Sequence, residues 1–93
     1  LYFVRTDDVD RVSAEDNYVG LWVKGRPHLV RGTLRDMERR LDPARFVRVH
    51  RSAIVNLDRV RRVEPWGHGE WVLWLEDGTQ LTSSRAHGQR LHD

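Results

Sequence analysis

The chain has 93 residues, 39% hydrophobic and 32% charged, which suits one small globular domain with a modest core and excludes a disordered tail. It has no cysteine, so disulfide scaffolds, thiolate zinc sites and thiol nucleophiles are excluded together, as suits a reducing cytosol. The net charge is only +2 but unevenly spread: residues 1–23 carry two arginines against five acids, residues 24–62 twelve Lys/Arg against four acids, and residues 63–93 two against five.

A basic middle of +8 between acidic ends suggests a surface facing a polyanion, or else a solvated basic face. The longest strongly apolar run, Trp71–Leu75, is five residues, against the ~20 that a membrane span needs. No basic stretch followed by an apolar one opens the chain, so no signal peptide is read and a cytoplasmic location is expected. The sequence begins inside a strand-like run, which suggests a piece of a longer protein. Residues 1–93 read as a single domain.

Taken in chain order, short apolar runs of high β-propensity are predicted as strands at Leu1–Val4, Val9–Ala14, Tyr18–Val23 and Leu29–Arg31. In Tyr18–Val23, Val19, Leu21 and Val23 share one face and Tyr18, Gly20 and Trp22 the other, which is strand periodicity. Turn-prone pieces at Asp7-Asp8, Glu15-Asp16-Asn17 and Lys24-Gly25-Arg26-Pro27 separate the runs. Thr33–Leu41 breaks the pattern. Leu34, Met37 and Leu41 recur at helical spacing, Thr33 can cap the first turn, and Asp42-Pro43 ends it. Strand runs resume at Phe46–Val49, Ala53–Val55, Val60–Val63, Trp71–Leu75 and Thr79–Thr82. Trp66-Gly67-His68-Gly69 reads as a turn, and Asp77-Gly78 is a hairpin signal. A second short helix is predicted from Ser83 or Ser84 toward Leu91. The fold class is mostly β, with one short helix mid-chain and one near the end.

Three stretches hold donors suited to binding. In Arg48-Val49-His50-Arg51-Ser52, polar residues interrupt two strand-like runs. An arginine fork grips phosphate or the O6/N7 edge of guanine, and His50 and Ser52 add further hydrogen bonds. The same residues could equally form a loop held by its own side-chain bonds. Ser83-Ser84-Arg85 places an arginine at a helix start, where amide groups and dipole favour phosphate. Plain serine capping accounts for that pattern too. Asn17 could read adenine and Tyr18 could touch phosphate or sugar, or both could belong to an ordinary polar turn.

Enzyme readings fare worse. His28, His50, His68, His87 and His92 include no pair at helical i, i+4 spacing, so no metal site is read, and no cofactor is expected. No Gly-x-Ser-x-Gly elbow or phosphate-cradling glycine loop is present. A hydrolase using Ser52 or Ser84 with His50 would need a pocket and a base within reach. Trp22, Trp71 and Trp74 lie in strand runs, where core or sheet-face packing explains them better than stacking on single strands.

The ordered set Ala14-Glu15-Asp16-Asn17-Tyr18-Val19, Thr33-Leu34, Phe46-Val47-Arg48-Val49-His50-Arg51-Ser52-Ala53-Ile54-Val55-Asn56, Asp77-Gly78 and Ser84-Arg85 resembles the LytTR DNA-binding family over essentially the whole chain. The resemblance implies an elongated, mostly β fold in which loops, not a recognition helix, contact DNA. It implies a DNA face made of Asn17 and Tyr18, of Arg48, His50, Arg51 and Ser52, and of Ser83, Ser84 and Arg85. The family's first loop varies in side chains, so its carry-over rests on position alone. Asn56 is expected to hold the turn after its strand. The resemblance further implies double-stranded DNA as partner, paired direct-repeat sites bound by two copies, and an output role in a bacterial response regulator. The family often sits behind a receiver domain or a membrane segment, and this sequence contains neither. The competing reading is a basic β module for protein–protein contact or ligand sensing.

Overall fold

A computed structural model describes residues 4–92 of the chain. The expected strand Leu1–Val4 lies almost wholly outside the described residues. Eight strands and two helices follow, in the order β1 (Arg11–Glu15), β2 (Tyr18–Val23), β3 (Arg26–Arg31), α1 (Leu34–Arg40), β4 (Phe46–His50), β5 (Ala53–Asn56), β6 (Val60–Gly67), β7 (Glu70–Leu75), β8 (Gln80–Thr82) and α2 (Arg85–His92). The strands form a five-stranded sheet, β3-β2-β1-β5-β4, and a three-stranded sheet, β6-β7-β8. The described residues measure 43 × 23 × 22 Å along their principal axes, an elongated body. The mostly β class with two short helices is as expected.

Helix α1 forms where the apolar period changes. Thr33 caps it, its Oγ1 accepting from the Asp36 amide at 3.1 Å. Leu41, expected inside the helix, is instead its C-cap in extended backbone, because Pro43 follows so closely. Leu34 and Leu41 are buried with Val9, Val12, Val19, Phe46 and Ile54, so α1 covers one face of the large sheet. The opposite face at β4 and β5 meets the small sheet and α2 through Val49, Val55 and Leu73.

Two strands are longer than the apolar runs that announce them. β3 begins at Arg26 and contains Pro27, and β6 continues to Gly67 through Pro65. Both are edge strands, where a missing N–H costs no ladder bond. The expected four-residue turn at 66–69 therefore contracts to His68-Gly69. Both residues have positive φ, 54° and 82°, as a tight two-residue hairpin requires. Asn56 behaves as anticipated and does more. It is fully buried, its Oδ1 accepts from the Asp58 amide at 3.0 Å, and its Nδ2 donates to the Val9 carbonyl at 2.9 Å.

Trp22 and Trp74 serve sheet faces. Arg11 stacks on Trp22 at 3.9 Å and Arg62 on Trp74 at 4.2 Å, while Trp22 Nε1 donates to Ser13 Oγ at 2.9 Å.

Candidate nucleic-acid interface

Antiparallel pairing brings the three donor-bearing stretches to one end. β1 runs beside β5 with Ser13 opposite Ala53, so the β1–β2 turn and the β4–β5 turn are neighbours. The Ala14 amide donates to the Ser52 carbonyl at 3.0 Å, beyond the last ladder pair. The Ser84 amide donates to the Val49 carbonyl at 2.8 Å, which seats the start of α2 beside the end of β4. Two backbone bonds thus join three loops distant in sequence.

The β4–β5 turn is built from within. Arg48 donates through Nε to the His50 carbonyl at 3.3 Å and through Nη2 to the Arg51 carbonyl at 2.8 Å, and it pairs with Glu38 of α1 at 3.4 Å. Its side chain is only 19% exposed. Arg48 thus braces the turn from which Arg51 and Ser52 project. Arg51 and Ser52 are exposed. His50 Nδ1 accepts the Ser52 backbone N–H at 3.2 Å and lies 2.8 Å from Ser52 Oγ. An amide can only donate, so this Nδ1 carries no proton in the neutral ring and Nε2–H is left as a donor.

The third stretch mixes buried and exposed residues. Ser83 is 1% exposed and its Oγ accepts from the Trp71 amide at 3.0 Å. This bond ties the end of β8 to the start of β7. Ser84 caps α2: its Oγ accepts from the His87 amide at 3.2 Å and lies 2.7 Å from His87 Nδ1. Arg85 is exposed, its Nε donating to the His68 carbonyl at 2.8 Å, which leaves its terminal nitrogens to reach outward. In the first stretch, the Asn17 carbonyl accepts from the Gly32 amide at 3.1 Å, which fixes that turn. Tyr18 is 42% exposed, with Arg31 5.6 Å from its ring. Arg31 carries no motif in the sequence. It reaches Tyr18 through register, as its cross-strand partner.

The basic middle segment does not form one stripe. Arg45 is bonded to Asp7 and Asp58, Arg59 pairs with Asp10 at 3.4 Å, and Arg62 with Glu64 at 3.1 Å. Near the start of the described chain, the Arg45 hydrogen bond and charge hold the Asp7 carboxyl below the usual carboxylate range. Burial pushes the Asp10 carboxyl up, against the opposing pull of Arg59. Among the described residues no cluster of His, Asp or Glu could hold a metal ion, and no helix is long and apolar enough to cross a membrane. The His50–Ser52 pair lies on an exposed turn.

Arginine, histidine, amide and hydroxyl groups on linked turns are donors of the kind that polyanions accept from. The chain belongs to the LytTr DNA-binding domain family, whose model matches residues 1–93. It is thus a DNA-binding module of transcription regulation and not a member of an enzyme family. It is similar to the sensory transduction protein LytT of Bacillus subtilis, 30% identical over 91 residues covering 98% of this chain and 38% of that protein. It is similar also to the transcriptional regulatory protein YpdB of Escherichia coli K12, 27% identical over 71 residues covering 76% of this chain and 29% of that protein. The chain thus spans well under half the length of these relatives. A solved LytTr DNA-binding domain from a Bacillus cereus response regulator superposes with a TM-score of 0.88 at 22% identity, over 96% of this chain and 82% of that one. At that identity the likeness establishes the fold.

Proposed function

We propose that this chain is a single, sequence-specific double-stranded DNA-binding unit, the output domain of a bacterial regulator of the response-regulator type acting in the cytoplasm. The observation that carries the reading is the pair of backbone bonds, Ala14 to Ser52 and Ser84 to Val49, which set three donor-bearing loops at one end. Arg85 reaches the major groove and reads a guanine edge, where its planar fork fits O6 and N7. Arg51, Ser52 and the Nε2–H of His50 grip phosphates and fix register. Asn17 and Tyr18, with Arg31, extend the contact on the other side. Two copies occupy paired direct-repeat sites, and a receiver or sensor domain elsewhere in the full protein supplies the signal.

Selection of bound sequences from a random duplex library tests this. The reading expects one enriched motif, recovered at moderate salt and spaced as a repeat when long duplexes are used. A module that meets an acidic protein partner would enrich no sequence, and that result would overturn the proposal.

A further inference from the structure

The β6–β7 hairpin ends beside Arg85, and it carries an aromatic side chain that the fold does not use. Trp66 is 69% exposed, more than any other large hydrophobic residue described. It falls where the ladder slips between Pro65 and Gly67, and such a bulge re-aims the side chain it carries. Among the described residues its indole has no hydrogen-bond or cation partner, whereas Trp22 and Trp74 each stack with an arginine.

The tip is held in place. Arg85 Nε donates to the His68 carbonyl at 2.8 Å. Gly88 of α2 lies so close that an added Cβ would stand 2.5 Å from the Gly69 carbonyl oxygen. The hairpin tip and the start of α2 are therefore in direct contact, so a ligand that Arg85 approaches lies beside the tip as well.

We propose that Trp66 is a fourth contact to the duplex, lying against a deoxyribose and donating its indole N–H to a phosphate beside the base pair that Arg85 reaches. This rests on the DNA reading given above. The chemistry favours sugar over charge pairing at the tip, because the charged residues nearest Trp66 along the hairpin strands are Glu64 and Glu70. Arg61 lies toward the far end of β6, and Arg62 is engaged with Glu64 at 3.1 Å. An apolar ring with one donor touches the backbone without regard to sequence. It adds affinity and footprint and little salt dependence.

The test measures affinity of the parent chain, W66A and W66F for the selected duplex at several salt concentrations, with hydroxyl-radical footprinting of the same complexes. W66A should bind about tenfold more weakly to selected and scrambled duplexes alike, with an unchanged salt slope. The outermost protected deoxyribose on the Arg85 side should become cleavable. W66F should retain most of the affinity, and the quenching of tryptophan emission on adding duplex should be lost in W66F. A folded W66A that binds and footprints like the parent would overturn this contact while leaving the DNA reading intact. A parent chain that binds no duplex would overturn the DNA reading itself, and this contact with it.

Discussion

Arg48 Nη2 donates to the backbone carbonyl of Arg51 at 2.8 Å, so one arginine shapes the turn from which another is presented. Under the proposed function, two arginines three positions apart therefore have different duties. Removing the first should injure binding indirectly. Arg48→Ala removes the donor that the His50 and Arg51 carbonyls share, which should cost about 0.5–1.5 kcal/mol of stability, read by urea unfolding. Arg48→Lys should recover only part of this, because an ammonium cannot span the same acceptors. Unchanged stability in both variants would remove the turn-building role.

Arg51 and Arg85 should separate in a binding assay. Arg85→Ala should cost about 1–3 kcal/mol on the preferred site and flatten preference at one base position. Arg51→Ala should weaken all duplexes evenly and lower the salt slope by about one unit. The checks are single-base variants of the selected duplex at two salt concentrations. The reverse pattern would exchange the two roles.

Gly88→Ala sets helix propensity against packing. Alanine gains about 1 kcal/mol in a helix, but its Cβ would stand 2.5 Å from the Gly69 carbonyl and 3.1 Å from Trp71. Because one neighbour is backbone, relief means moving the hairpin, and overpacking of this kind costs about 1–3 kcal/mol. The variant should melt lower than the parent and bind DNA less well, since the Arg85–His68 bond moves with the hairpin. A higher melting temperature would show that the hairpin yields freely.

Core and charge make two further checks. Leu41 is 6% exposed in the cluster beneath α1, so Leu41→Ala should cost about 2–5 kcal/mol, and a loss well below 1 kcal/mol would mean that the site collapses around the gap.

Asp10 is the pH probe. Burial raises its carboxyl above the ordinary 3.8 in the folded state, so the folded chain holds this proton more tightly than the unfolded one. The contribution is fully favourable below 3.8 and is lost as pH rises through the folded value. Asp10→Asn should therefore stabilise the protein near neutral pH, an advantage that shrinks toward pH 3.8 and below, followed by thermal melts across the range. A stabilisation equally large in acid would point to a cause other than charge burial.

Much of this was legible in the residues. Alternation placed β2, a change of period placed α1, and Asp77-Gly78 placed the β7–β8 turn. Local pattern could not show that β3 and β6 are edges, so Pro27 and Pro65 hid the true strand ends. The three loops were visible as donors, but inward and outward members look alike in sequence. Ser83 is turned inward by a partner twelve residues away, Trp71, and Arg48 by Glu38 of a separate helix. Arg31 carried no motif at all, and only the Tyr18–Arg31 register reveals it.

The most direct test is the equilibrium affinity of the parent chain for its selected duplex across a range of salt concentrations. Each phosphate neutralised contributes about −0.9 to the slope of log K against log salt. Several exposed arginines at the DNA end should thus give a steep linear fall, with the selected sequence bound more tightly than a scrambled one at every salt. Affinity that is indifferent to salt, or equal for both sequences throughout, would contradict the assignment of this end of the molecule to sequence-specific DNA recognition.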